Sequence, residues 1–312
     1  MDKFLFALLK TARPRQWLKN VAVFTTILFM GQLFQEDLFK KTCIAFVAFC
    51  LLSSSSYFIN DILDAAKDRK HPFKKFRPIA SRLLSPTNAF ASSMIMLGVG
   101  ILLSFTLGRP FFLLALIFVA LQYSYSFVFK HRSVIDILAI TAAYFLRVYA
   151  GEAATGYHIS IWLSLAALSL ALFLAVGKRR AELTLLVGSK EVVPKDTREA
   201  LSRYSEKLLD ALTSMFATST FITYAFYTFL EKPLNRGFFF QGHELFTQTL
   251  PDRKWMMATI PFVLFGIMRY MQLIYEGKGE SPEQVLTSDL PLLTTVILWG
   301  MTVFLIVYGI GG

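Results

Sequence analysis

The sequence predicts an all-α integral membrane protein, a bundle of nine transmembrane helices with its larger basic loops on the cytoplasmic side. Three observations predict it. Of the 312 residues, 55% are hydrophobic and 17% charged, with a mean hydropathy of +0.52, against about 45–50% and 25% in ordinary soluble domains. Nine stretches reach the roughly 17–25 apolar residues that a spanning helix needs. Basic residues gather on one side of these stretches, as they do in loops retained in the cytoplasm. This composition excludes disorder, collagen, coiled coil and a disulfide scaffold, and residues 1–312 read as a single polytopic membrane domain.

Met1 to Arg15 alternates apolar and basic residues like an amphipathic helix on a membrane surface, and no small-residue cleavage site follows to mark a signal peptide. The spans then run at approximately 17–34, 40–60, 87–107, 110–127, 134–151, 159–177, 208–230, 254–276 and 290–310. The second carries both cysteines, Cys43 and Cys50, about 10 Å apart on one helix face and too far to bridge; they read as packing residues. The fourth and fifth spans are short and carry polar residues. With the N-terminus inside, the inner segments 1–19, 61–86, 128–133, 178–207 and 277–289 hold 23 of the 32 Lys and Arg, and the outer segments hold seven, four of them in the loop 231–254. Phe238 to Phe240 make that loop a candidate outer cap. The two remaining, Arg147 and Arg269, lie within spans. The net charge of +11 is therefore mostly topology in a protein whose partner is the lipid bilayer, and no nucleic-acid partner is expected.

Topology does not explain why carboxylates, Asn and His are mixed with basic residues in two inner loops. From Asn60 the chain reads Asn-Asp-Ile-Leu-Asp-Ala-Ala-Lys-Asp-Arg-Lys-His-Pro, continuing the second span. At 100° per residue Asp61, Asp64 and Asp68 share one helix face within an arc of about 60°. Carboxylates so placed repel one another unless a cation lies among them. Oxygen-only ligands suit Mg²⁺, which completes its octahedron from water and phosphate, and a diphosphate is its natural partner. Lys67, Arg69, Lys74, Lys75 and Arg77 supply cations for phosphate oxygens, and His71-Pro72 and Arg77-Pro78 force an extended loop able to fold over the site. A solvated helix end is the competing reading. Against it, aspartates at a helix C-terminus oppose the macrodipole, and Ser53 to Ser56 begin inside the span, as if a polar cavity entered the membrane.

Asn60-Asp61-x-x-Asp64-x-x-x-Asp68, followed by Arg77-Pro78-Ile79-Ala80-Ser81, resembles the first aspartate-rich motif of the UbiA superfamily of intramembrane prenyltransferases, whose fold is also a nine-helix bundle. Asp68-Arg69-x-His71-Pro72-x-Lys74-x-x-Arg77-Pro78-Ile79-Ala80 is similar to the branch that transfers phosphoribosyl groups to decaprenyl phosphate. Arg13 to Asn20, Arg269-Tyr270 and Tyr275 to Asp289 resemble that branch too, so the likeness spans nearly the whole chain. One departure is Arg82, where the family usually has Gly.

Two further inner clusters follow. Tyr123 to Ser126, Lys130, His131, Arg132 and Asp136 join the fourth and fifth spans. Eleven residues on, about 16 Å along the helix, the intramembrane Arg147 must find Glu152, another helix or a ligand, and an ion pair locking two helices is the favoured expectation. Lys178-Arg179-Arg180-Ala181-Glu182 leaves the sixth span with Lys178, Arg179 and Glu182 able to face one way. Aromatic prenyltransferases of the superfamily carry a second aspartate motif at this place. A Lys-Arg-x-x-Glu instead is similar to the phosphoribosyl branch, whose two substrates bring more phosphate than one prenyl diphosphate does.

The resemblance implies transfer of a 5-phosphoribosyl group from phosphoribosyl pyrophosphate to a polyprenyl phosphate with release of pyrophosphate, in the plasma membrane with the site facing the cytoplasm, for cell-envelope glycan precursors. It implies Mg²⁺ on Asp61, Asp64 and Asp68. Asn60, Arg69, His71, Lys74 and Arg77 would hold the donor's phosphates, and Lys19, Lys130, Lys178 and Arg179 the lipid phosphate. Tyr123, Asp136 and Glu182 complete the expected substrate-binding set. Self-association is left open. An aromatic prenyltransferase and a transporter are the alternatives; the missing second aspartate motif speaks against the first, and one-sided polar clusters without an internal repeat against the second. No Ser-His-Asp order, His/Cys metal spacing or glycine-rich phosphate loop occurs, and His131, His158 and His243 read as solvated or interface residues.

Overall fold

The computed structural model describes residues 3–69, 74–188, 203–231, 254–277 and 282–310. It is all-helical among these. In chain order the helices are α1 (Lys3–Ala12), α2 (Thr25–Phe29), α3 (Glu36–Asp68), α4 (Pro86–Thr106), α5 (Arg109–Phe127), α6 (Ile135–Thr155), α7 (Ile161–Gly188), α8 (Glu206–Leu230), α9 (Ile260–Tyr275), α10 (Pro282–Ser288) and α11 (Leu290–Phe304). Among the described residues, seven segments are long and apolar enough to cross a membrane: α3, α4, α5, α6, Ile161–Leu185 of α7, α9 with the turns before it, and α11 with the turns after it.

The other two expected spans differ. Residues 17–34 form no single helix: Pro14–Phe24 is a run of 3₁₀ turns and α2 adds only five residues. Arg13, at φ 54°, turns the chain into this run, and its Asn20 is fully buried. α8 matches the expected span in place and length, with 25 residues, but its Thr and Ser keep it less apolar than the seven. The loop with Phe238 to Phe240, and the His71 and His243 positions, lie outside the described residues.

α3 has 33 residues, about 50 Å at 1.5 Å per residue, so it outruns a hydrocarbon layer of about 30 Å and carries Asn60 to Asp68 on one uninterrupted rod. It packs along α4, as α7 does along α8. Phe49 of α3 wedges against Phe118 and Phe111 of α5, with ring centroids 4.6 Å and 5.7 Å away, and Ala143 and Ala150 of α6 close this core. A second core joins α7, α8, α9 and α11. Cys43 and Cys50 are free thiols, and Cys50 accepts a hydrogen bond from Asn20.

Two features position the site. The 3₁₀ run crosses α6 so closely that a Cβ at Gly151 would lie 2.1 Å from the Val23 carbonyl oxygen, so the crossing requires glycine. α1 buries Ala7 and Ala12 against Phe58 and Ala65 of α3 and Ile79 and Leu84 of the following loop, leaving Phe4, Leu5, Phe6 and Leu9 exposed, the apolar face expected of a helix lying in an interface. At the opposite end Tyr308 donates to the carbonyls of Ile27 and Leu28 and accepts from the Leu33 amide, at 3.0, 3.1 and 3.0 Å.

Candidate active site

Where α3, the 3₁₀ run, α5, α6 and α7 converge they enclose a cavity of about 220 Å³. Its wall carries seven basic side chains, Arg13, Lys19, Lys74, Arg77, Lys130, Arg147 and Lys178, and among the described residues a single carboxylate, Glu182. Such a wall favours polyanions, because a low-dielectric cleft lined by one sign of charge focuses its field.

The three aspartates do share the face of α3 that the helical spacing predicts, but each stands behind a basic side chain of that wall. Asp61 Oδ1 is 2.5 Å from Arg13 Nη2 and 3.2 Å from Arg77 Nη1, and the same Arg77 nitrogen is 2.6 Å from Asp68 Oδ2. Asp64 Oδ1 is 2.7 Å from Lys130 Nζ, which also reaches the Asn60 side-chain oxygen at 3.3 Å. Asp61 and Asp68 thus already flank one cationic atom, a donor arrangement that fits a bridging metal ion. As arranged, no three carboxylate, His or Cys groups among the described residues converge on one point. Arg69 donates to the Ala80 carbonyl at 3.2 Å, fastening the end of α3 to the loop that carries Lys74 and Arg77. In that loop Arg82 adopts φ 64°, the left-handed conformation for which glycine is the unstrained residue.

Lys19 lies on the 3₁₀ run, 3.1 Å from Glu283 of α10, and donates to Gln16 at 2.5 Å; Gln16 in turn donates to Glu283. Burial pushes the Glu283 carboxyl up, but the Lys19 ammonium, a backbone amide and Lys178 together outweigh it and hold the group below its ordinary range. Lys178 and Glu182 line the cavity one helical turn apart on α7.

Four side chains are placed differently from expectation. Asp136 does not reach the cavity: 1% exposed, it lies 2.6 Å from Arg179 Nε and accepts from the Tyr204 hydroxyl at 2.7 Å, while Tyr204 takes the Val134 amide at 2.5 Å. Val134 is β-branched at φ 69°, so this buried knot holds a strained corner. Arg179 belongs to the same knot, also bonding Glu182 and the Tyr125 hydroxyl, and positions cavity residues from behind. Tyr123 turns away, 2.9 Å from Ser55, which also contacts Ser93; Tyr125, two residues on and across the helix, lines the cavity instead. Arg147 makes no ion pair among the described residues; it donates to Asn20 at 2.7 Å, to the Ala143 carbonyl, and to Ser53 at 3.4 Å, and it lines the cavity. Of the serines, Ser56 reaches the wall, whereas Ser54 ties Trp17 to the Ala12 carbonyl, both at 3.0 Å.

Sequence reasoning also passed over Arg13, Gln16, Tyr125, Arg147 and Glu283 as site residues. The likeness at Arg13 to Asn20 and at Tyr275 to Asp289 was the available signal for three of them. Nothing in the sequence distinguishes Tyr125 from Tyr123.

A model of the family described as "UbiA prenyltransferase family" matches residues 21–178. A protein of Corynebacterium glutamicum named decaprenyl-phosphate phosphoribosyltransferase is 32% identical over 306 residues, 96% of this chain and 86% of that one. One of the same name from Mycolicibacterium smegmatis is 32% identical over 308 residues, 96% of this chain and 92% of that one. Among solved structures, a UbiA homolog from Archaeoglobus fulgidus bound to GPP and Mg²⁺ superimposes with a TM-score of 0.70 at 20% identity, covering 96% of this chain and 99% of that one.

Proposed function

Because the chain belongs to the UbiA prenyltransferase family, we propose that it is a multi-pass membrane enzyme transferring a 5-phosphoribosyl group from phosphoribosyl pyrophosphate to a polyprenyl phosphate, with release of pyrophosphate. The similarity to two phosphoribosyltransferases over nearly their whole lengths supports the substrates. The observation that carries the reading in this chain is the cavity wall, seven basic side chains to one carboxylate, with Lys178 and Glu182 where a second metal-binding aspartate pair would serve prenyl diphosphate alone.

Asp61 and Asp68, which already flank a cation, would hold Mg²⁺ with Asp64; when bound, the ion neutralises the pyrophosphate and eases its departure. Arg77, Arg13 and Lys130 sit on these carboxylates and are placed to take pyrophosphate oxygens, with Asn60, Lys74 and Arg69 supporting the same end and His71 the adjoining loop. Lys19 and Lys178 face the acceptor. The phosphate oxygen of the lipid attacks the anomeric carbon, a new C–O bond forms, and the bond to pyrophosphate breaks. No general base is required, since a phosphate dianion is already a nucleophile. Rate therefore comes from proximity and from cations that stabilise the leaving group.

The single membrane domain would sit in the plasma membrane with the cavity and N-terminus cytoplasmic, α8 and residues 14–29 completing nine passes and the inner loops capping the site. Its product would feed cell-envelope glycan synthesis. The test is Mg²⁺-dependent pyrophosphate release by the purified protein in lipid. Release with phosphoribosyl pyrophosphate plus polyprenyl phosphate, giving a ribosylated lipid, is expected. Release only with a prenyl diphosphate and an aromatic acid would overturn the substrates, and silence with both pairs would overturn the enzyme.

A further inference from the structure

Arg147 is the one cavity arginine to which the reaction above gives no part. α6 begins at Ile135, so Arg147 stands about 18 Å along its axis, inside a segment apolar enough to span the membrane. It is 3% exposed yet forms part of the cavity wall. Arg13 and Arg77 each face a carboxylate. Arg147 faces neutral acceptors only, the Asn20 amide, the Ala143 carbonyl and the Ser53 hydroxyl, and none of the ion pairs among the described residues includes it.

A guanidinium withdrawn from water without an opposite charge is costly, and three neutral acceptors satisfy only part of its five donors. Its orientation is nevertheless fixed. Asn20 donates its amide N–H to Cys50 at 3.2 Å, which leaves the amide oxygen toward Arg147, and the Phe118 ring centroid lies 4.8 Å from the guanidinium carbon. A second cation approaches the same place: Lys19 Nζ and the Arg147 guanidinium carbon lie 5.6 Å and 5.9 Å from the centroid of one ring, Tyr144. Glu283 pairs with Lys19, 3.1 Å away. Two cations around one tyrosine, Arg147 buried and Lys19 partly exposed and paired with one carboxylate, leave a net positive pocket apart from the aspartate end.

We propose that Arg147 and Lys19, around Tyr144, form a second anion subsite at the membrane-embedded floor of the cavity that binds a phosphate monoester. This rests on the proposed reaction, in which pyrophosphate belongs to the aspartate end and each substrate brings one monoester, the lipid head group or the donor's 5-phosphate. Arg147 fills the same fork-like role for either, with two donors left to meet two phosphate oxygens.

The test uses full-length protein in lipid nanodiscs, wild type, Arg147→Gln and Arg147→Lys, with melting temperature and dissociation constants measured for polyprenyl monophosphate, polyprenol, Mg²⁺-loaded phosphoribosyl pyrophosphate and inorganic pyrophosphate. In Arg147→Gln, binding of one monoester-bearing ligand should weaken about tenfold or more, the loss typical of a charged hydrogen bond, with polyprenol and inorganic pyrophosphate unchanged. Weakening of polyprenyl phosphate assigns the subsite to the lipid; weakening of phosphoribosyl pyrophosphate assigns it to the donor. Equal loss for inorganic pyrophosphate, or no loss for either monoester, overturns the subsite. Should Arg147→Gln fail to fold, Arg147→Lys keeps the charge without the fork and decides: an intermediate loss for one monoester supports the subsite, and wild-type affinity for both overturns it. A wild-type protein that binds neither monoester-bearing ligand overturns the proposed reaction itself, before any variant is compared.

Discussion

Replacing Gly151 by alanine probes the tie between scaffold and cavity. The added Cβ would lie 2.1 Å from the Val23 carbonyl oxygen and 2.9 Å from the Thr26 hydroxyl. Contacts below 3.0 Å are not sustained, so the backbone of the 3₁₀ run must retreat from α6 by nearly 1 Å. Overpacking of this kind destabilises by about 1–3 kcal/mol. The same displacement carries Asn20, and with it the Arg147 hydrogen bond, and shifts Lys19 in the cavity wall; a misplacement of about 1 Å near a reacting group costs on the order of 100-fold in rate. Gly177→Ala is the control, since its Cβ would meet only the Ile274 and Tyr270 side chains, the nearest atom at 2.6 Å being the end of a flexible chain. Melting temperature and pyrophosphate release are read for both variants. Gly151→Ala should lose stability and far more turnover than Gly177→Ala. A Gly151→Ala protein that melts and turns over like wild type would refute the crossing geometry and its link to the site.

Asp61→Asn should lower turnover at least about 100-fold with little change in melting temperature; near-normal turnover would remove Asp61 from the metal set. Asp136→Ala leaves the buried Arg179 with Glu182 as its one carboxylate among the described residues, so it should cost about 3 kcal/mol while the KM values for both substrates hold, and a raised KM with normal stability would return Asp136 to the binding site. Arg82→Gly relieves a left-handed residue and should stabilise by up to about 1 kcal/mol without altering turnover, as thermal melts and pyrophosphate release would show. Glu283 is held below its ordinary value of 4.5, so its tie to Lys19 stabilises fully above that value and is lost as pH falls through the lower folded value. The melting difference between wild type and Glu283→Gln should be constant above about pH 5.5 and shrink below about pH 4.5; a difference that grows with acid would contradict the sign.

What could be read from the sequence depended on whether a single helix settled the question. The aspartate face of α3 was legible because the spacing of 61, 64 and 68 fixes their direction on one rod, and seven spans because apolar length decides them. Residues 17–34 have the apolar length without the helix: a buried Asn20 and the close passage over Gly151 are tertiary facts that hydropathy does not register. Asp136 and Arg179 looked like substrate ligands because a charged residue near a membrane boundary can point into a cavity or into a neighbouring helix, and only α6, α7 and Tyr204 together decide which. Arg147 was misjudged in the opposite sense. Its helix suggested an ion pair at the outer end, but Asn20, 127 residues away, takes the place of a carboxylate.

Tyr308 sets the order in which the molecule can be completed. Its hydroxyl takes the carbonyls of Ile27 and Leu28, the latter 280 residues earlier in the chain. Those carbonyls are made well before their partner, and exposed peptide groups are poorly tolerated in lipid. Until the turns that carry Tyr308 emerge, this seam must borrow water or a temporary neighbour, so the floor of the cavity, carried on the same segment as Ile27 and Leu28, cannot settle before α11 is in place. An insertion chaperone would meet the nascent enzyme with these two segments still apart.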